Sequence, residues 1–211
     1  LMSGTNVILT GNTVSSDWTA AGGGAHVEQG ELELTNAIVA QNEVEGRYLA
    51  TGAGLSLGTH GELVLENVDI VQNLAVSNTY AQGAGLAWVW LAGGAGDISF
   101  DLMNTSIYDN DLVGVYETGH GMFCYGGQSA LSAEHVNWYG QDQNLNYDCS
   151  AMKTVCVACI EEDPLYTDAE ALDMTLQSGS PLINAGSFDL SDADGSRSDI
   201  GAYGGPDGAS W

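Results

Sequence analysis

Asn36-Ala-Ile-Val-Ala-Gln-Asn42 and Asn67-Val-Asp-Ile-Val-Gln-Asn73 carry one pattern, an asparagine pair six residues apart enclosing a short apolar run. The same frame occurs as Asn6-Val-Ile-Leu-Thr-Gly-Asn12 and Asn104-Thr-Ser-Ile-Tyr-Asp-Asn110, and in degenerate form as His135-Val-Asn-Trp-Tyr-Gly-Gln141. The closing residues fall at 12, 42, 73, 110 and 141, so the steps are 30, 31, 37 and 31 residues. A second marker keeps the same phase: Gly22-Gly-Gly24, Gly52-Ala-Gly54, Gly83-Ala-Gly85 and Gly119-His-Gly121 each follow an asparagine pair and open an alternating segment. Two markers in one phase define a repeat.

The segments alternate with period two and show no 3.6-residue period, which excludes helical solenoids of similar repeat length. The expected fold is all-β: a single-stranded right-handed parallel β-helix of about five to seven coils. One coil cannot bury its own apolar side, but stacked coils share a continuous core. Ile8, Leu32, Leu34, Ile38, Leu63, Leu65, Ile70, Ile98, Phe100 and Ile107 are the expected inward positions. Asn12, Asn42, Asn73 and Asn110 are expected to stack as an amide ladder, about 4.8 Å per rung, at a corner that tolerates left-handed backbone. The segments after each closing residue vary in length and carry Trp18, Tyr48, Tyr80 and Tyr116. These rings either cover the outside of the core or form a strip for a sugar or a protein partner.

The 211 residues hold 28 Asp plus Glu against 3 Lys plus Arg, a formal charge of −25. That field repels nucleic acid and anionic polymers. An apolar fraction of 44% argues for a folded chain. No apolar run reaches 18 residues, so no membrane insertion is expected. Cys124, Cys149, Cys156 and Cys159 lie in one short stretch and suggest two disulfides and an oxidising compartment. Four cysteines allow three pairings and the spacing does not choose among them. The rival reading is a metal site at Cys156-Val-Ala-Cys159.

After residue 145 the repeat fades, and residues 146–211 read as closing coils and a disulfide-stapled cap of the same domain. Asp163-Pro-Leu-Tyr166, Leu176-Gln-Ser-Gly-Ser-Pro-Leu-Ile-Asn-Ala-Gly186 and Asp192-Ala-Asp-Gly-Ser-Arg-Ser-Asp-Ile-Gly-Ala-Tyr-Gly-Gly-Pro206 resemble the closing segment of secreted bacterial right-handed β-helix proteins of pectate-lyase-like fold. The resemblance implies a secreted or cell-surface location and leaves activity open. Within it, Asp189, Asp192, Asp194, Ser196 and Asp199 have the spacing of a Ca²⁺ loop, or else form an acidic turn held by Arg197.

Polysaccharide lyases of this fold need basic residues, which here number three and are dispersed. Asp109, Asp111 and His120 are the enzymatic alternative, an acidic glycoside-hydrolase-like site. The repeat phase already accounts for the glycines around His120. The expected function is therefore a non-catalytic extracellular module for adhesion, carbohydrate or protein binding, or structural display. The first coil is expected to be covered by further chain or by a partner.

Overall fold

A computed structural model describes residues 1–88, 98–124, 129–145 and 153–210. They form a parallel β-solenoid. The long sheet stacks Met2–Thr10, Ala25–Ala40, Leu55–Val71, Ile98–Met103, Ser129–Glu134 and Lys153–Val157, all parallel. The second sheet stacks Thr13–Ser16, Glu43–Gly46, Leu74–Ser77 and Asp111–Val113, and the third Thr19–Ala21, Leu49–Thr51, Tyr80–Gln82 and Tyr116–Thr118. These four-stranded sheets mark about four complete turns, short of the five to seven expected, while the long sheet runs on for two further rungs. The boundary expected near residue 145 abuts residues outside those described.

The asparagine pair divides two tasks that the sequence reading assigned to one residue. The first member takes the left-handed bend, with φ of 49° at Asn36, 54° at Asn67 and 49° at Asn104. A second bend falls one residue before the closing asparagine, at Gln41, Gln72 and Asp109. The closing members form the ladder. Asn12 Nδ2 donates to Asn42 Oδ1 at 2.9 Å, Asn42 Nδ2 to Asn73 Oδ1 at 3.0 Å, and Asn73 Nδ2 to Asn110 Oδ1 at 2.9 Å. Each Nδ2 in the upper rungs also donates to a carbonyl one coil down, as Asn110 does to Ile70 O at 2.9 Å. Gln141 repeats that last bond to Ile107 O.

Between the asparagines the first and third residues face the core and the second and fourth face out. Val39, Ile70 and Ile107 therefore join Leu32, Leu34, Leu63, Leu65, Ile98 and Phe100 inside. Ile8 and Ile38 do not. They occupy the second position, in register with each other and with Asp69. Ile8 is 50% exposed, and Ile38 is buried from outside against Tyr166, Met174 and Ala202.

That outer contact revises the role of the C-terminal segment. It does not merely close the end of the solenoid; it runs back along the outside as a strap. It leaves the sixth rung at Glu162, whose N–H donates to Asn137 Oδ1 of the fifth at 3.0 Å. It first reaches Asp69 with Tyr166 and Gln41 with Glu170, then returns to His135 and Asn104, and runs again to Asp69 and finally Asn36, whose Nδ2 donates to Ala202 O at 2.8 Å and Gly204 O at 2.6 Å. The bend-forming residues thus carry outward side chains that bind the strap. The first coil lies beyond it and forms one edge of all three sheets. Cys156 pairs with Cys159, which removes the metal reading of that CxxC; Cys124 is also disulfide-bonded, and Cys149 lies outside the described residues.

Candidate functional site

The corner joining the second and third sheets carries one aromatic ring per turn. Trp18 stacks on Tyr48 at 4.9 Å with planes 10° apart, Tyr48 meets Tyr80 edge-on at 5.3 Å, and Tyr80 stacks on Tyr116 at 5.2 Å. In-register parallel strands set the spacing of Trp18 over Tyr48 and of Tyr80 over Tyr116, whereas Tyr80 stands opposite Leu49, one residue past Tyr48, and the rings meet edge-on at that step. The row is open to solvent: Trp18 is 66% and Tyr116 59% exposed. Trp18 and Tyr48, and Tyr80 and Tyr116, cover each other's facing sides, while the edge-on step between Tyr48 and Tyr80 interrupts the stack. Beside it lies a shallow groove lined by Ser15, Asp17, Glu45, Arg47, Ser77 and Asn78. Planar rings beside dense hydrogen-bonding groups make a surface suited to a polar, uncharged ligand.

Asp109 and Asp111 share the rim of an open depression with Gln72, Gln141 and Asp142. Each carboxylate has a local partner. Asp109 holds a left-handed bend and accepts from Gln72 Nε2 at 3.2 Å, and Asp111 accepts from the Leu112 N–H at 2.8 Å. His120 takes the place that Ala53 and Ala84 hold in lower coils, is 7% exposed, and keeps its Nε2 3.9 Å from Asp111 Oδ1. The three residues are neighbours, but the histidine faces the interior rather than a substrate.

The C-terminal acidic loop turns its carboxylates onto N–H donors. Asp192 Oδ1 accepts from Gly205 N at 2.7 Å and Asp199 N at 3.2 Å; Asp199 Oδ1 accepts from Asn184 N at 2.6 Å; Asp194 Oδ1 accepts from Ser196 N at 2.8 Å. The Asp189 N–H donates to Ser187 Oγ at 3.3 Å, which leaves Asp189 outside that group. Burial pushes the Asp199 carboxyl up, and Asp192 and Asp194 add to the shift. Arg197 pairs with no aspartate here, contrary to the sequence expectation. It donates to the carbonyls of Gly186 and Ala185 and lies 3.6 Å from the Phe188 ring centroid. Among the described residues no group of three His, Cys, Asp or Glu is placed to hold a metal. A melting curve in EDTA that overlays the curve without it is therefore expected; a drop of several degrees would return Ca²⁺ to the loop.

Two clusters escaped the sequence reading. Ser56 Oγ lies 2.7 Å from His26 Nδ1, and His26 Nε2 lies 3.1 Å from Glu28 Oε2. The order is that of a nucleophile, base and acid. Ser56, however, is 1% exposed and packed under Gly22, where a Cβ would come within 2.8 Å of its Oγ. No substrate reaches it, and the chain ties two rungs together. The second cluster surrounds Asp69, which is fully buried. Its Oδ1 accepts from the Tyr166 hydroxyl at 2.6 Å and its Oδ2 from the Ala202 N–H at 2.9 Å. Burial raises this carboxyl to about 7, against the opposing pull of those two bonds. Only the chain-distant strap buries Asp69, so the local sequence carries no sign of it.

No family model, curated protein or solved structure matches the chain. No helix among the described residues is long and apolar enough to cross a membrane.

Proposed function

We propose that this chain is a non-catalytic binding module, secreted or displayed on a bacterial cell surface, that holds a neutral carbohydrate along the aromatic corner. The observation that carries the reading is the row of exposed Trp18, Tyr48 and Tyr116 with half-buried Tyr80, beside a polar groove. A ligand lying along the solenoid axis meets one ring and one set of polar groups per rung. Trp18 offers a further open face at the end of the row. The charge of −25 disfavours acidic glycans and leaves uncharged ones as the fitting class. The disulfides accord with an oxidising compartment. A right-handed coil is the sense that parallel crossovers favour.

A hydrolase centred on Asp109, Asp111 and His120 is disfavoured by the inward histidine. The test is a glycan array of neutral and uronate-containing oligosaccharides, followed by titration of the hits. Binding to neutral extended glycans is expected, with a loss of about 30-fold in Trp18→Ala or Tyr116→Ala, the size of a central aromatic contact. Undiminished binding in both variants, or release of reducing sugar from a hit, would sink the reading.

A further inference from the structure

We infer that the C-terminal strap is a pH-governed cover, and that Asp69 with Tyr166 and Ala202 is its latch. The strap is not an extension of the sheets. Among the described residues its pairings are internal: a small antiparallel hairpin, Tyr166–Asp168 with Asp173–Leu176, and a bridge between Ser191 and Arg197. It binds the solenoid through side chains, chiefly Asn36, Asp69, Asn104 and His135. Three of these are amides or an imidazole held by backbone groups. Asp69 alone places a carboxyl at the centre of the contact, where its register partners are Ile38 on one side and Ser106 on the other.

The surroundings make that carboxyl a poor guest once ionised. Glu66 lies on its own strand, and burial, with a smaller contribution from the charge of Asp207 in the strap, pushes the Glu66 carboxyl up. From the strap come Tyr166 and Tyr203; burial raises both phenols, and the charge of Asp69 adds to the shift, after that of Asp173 in the case of Tyr203. From the neighbouring strand, Tyr108 packs edge-on against Tyr166 at 5.5 Å, and Ser106 also bonds Tyr166. None of these groups is a cation. Residues 161–207 hold eleven acids and one arginine, and Arg197 is engaged at Gly186, Ala185 and His135. The contact also contains unsatisfied atoms: Asn36 Oδ1 and both polar atoms of Asn67 are buried with no partner among the described residues. The cover is therefore held by a margin that one buried charge can change.

The direction follows from linkage. The folded carboxyl holds its proton to higher pH than an unfolded aspartate, so docking is favoured most below the ordinary carboxylate range. That advantage fades as pH rises from about 4 to about 7. Above it the strap opens more often, and Ile38, Ala40, Val71 and Tyr108 become accessible on the outer face.

Hydrogen exchange by mass spectrometry, corrected for intrinsic rates, tests this on the whole chain at pH 5 and pH 8. Protection of residues 163–176 and 198–205 is expected to fall about tenfold at pH 8, while amides of the inner rungs around Val39 and Ile70 stay protected. Asp69→Asn keeps an acceptor and a similar shape without the charge, and is expected to show equal strap protection at both pH values. Should that variant fold poorly, Asp69→Ser, which copies the neighbouring rung's Ser106, serves the same purpose. A strap equally protected at both pH values in the native chain overturns the proposal. So does a pH response that survives in Asp69→Asn or Asp69→Ser.

Discussion

Asn73→Ala is expected to lower the unfolding free energy by about 3–5 kcal/mol, the sum of several buried polar groups left unpaired. Asn73 is completely buried in the middle of the amide ladder. Its Nδ2 donates to Asn110 Oδ1 and to Val39 O, both at 2.9 Å, and its Oδ1 accepts from Asn42 Nδ2 at 3.0 Å and Asn42 N at 3.1 Å. Truncation removes four bonds at once and admits no water, because the corner is sealed by the rungs above and below. Asn12→Ala supplies the contrast. Asn12 is the exposed lower end of the ladder and donates only to Asn42, so a loss of about 1 kcal/mol is expected. Paired urea melts measure both. A cost below about 1 kcal/mol for Asn73→Ala would mean that the ladder is ornamental and the rungs are held by backbone alone.

The same ladder shows how far the sequence could be read. The asparagine pairs and glycine pairs fixed the repeat, because both mark places where every rung meets its neighbour. The alternation of Leu32, Leu34, Leu63 and Leu65 placed the core for the same reason. Ile8 and Ile38 were misread because a left-handed bend at Asn6 or Asn36 resets the alternation, so apolar character alone no longer reports which side faces in. Ile38 is apolar for the sake of the strap rather than the core. The strap itself was beyond reach: its contacts span 25 to 168 residues and rest on single side chains, with no period to reveal them. The aromatic row was legible as a row. That it consists of two stacked pairs meeting edge-on between Tyr48 and Tyr80 required the coil geometry. Arg197 was assigned to the aspartates by proximity in sequence, yet backbone N–H groups satisfy Asp192, Asp194 and Asp199 and leave the guanidinium to carbonyls and Phe188.

Gly85→Ala is expected to cost about 2–3 kcal/mol, the upper range for overpacking, although it adds one methyl group. The second glycine of each pair is needed for proximity rather than for a left-handed backbone. A Cβ on Gly85 would stand 2.5 Å from Gly121 O and 3.2 Å from Asn110 Nδ2. Gly24 meets the same obstacle two coils down, with Gly54 O at 2.5 Å and Asn42 Nδ2 at 3.2 Å. The obstructing atom is backbone held in the next rung, so the clash is relieved only by prising two coils apart or by displacing a ladder amide. Gly11→Asn isolates the other use of glycine. Gly11 has φ of 64° with nothing within 4 Å of an added Cβ, and Gln41, Gln72 and Asp109 already occupy its place in other coils. Asparagine tolerates that conformation, so a change within about 0.5 kcal/mol is expected. Denaturant melts of the two variants separate crowding between rungs from strain within a bend. If Gly85→Ala melts with the native chain, the rungs do not approach at this corner, and the register that aligns Gly24, Gly54, Gly85 and Gly121 is wrong.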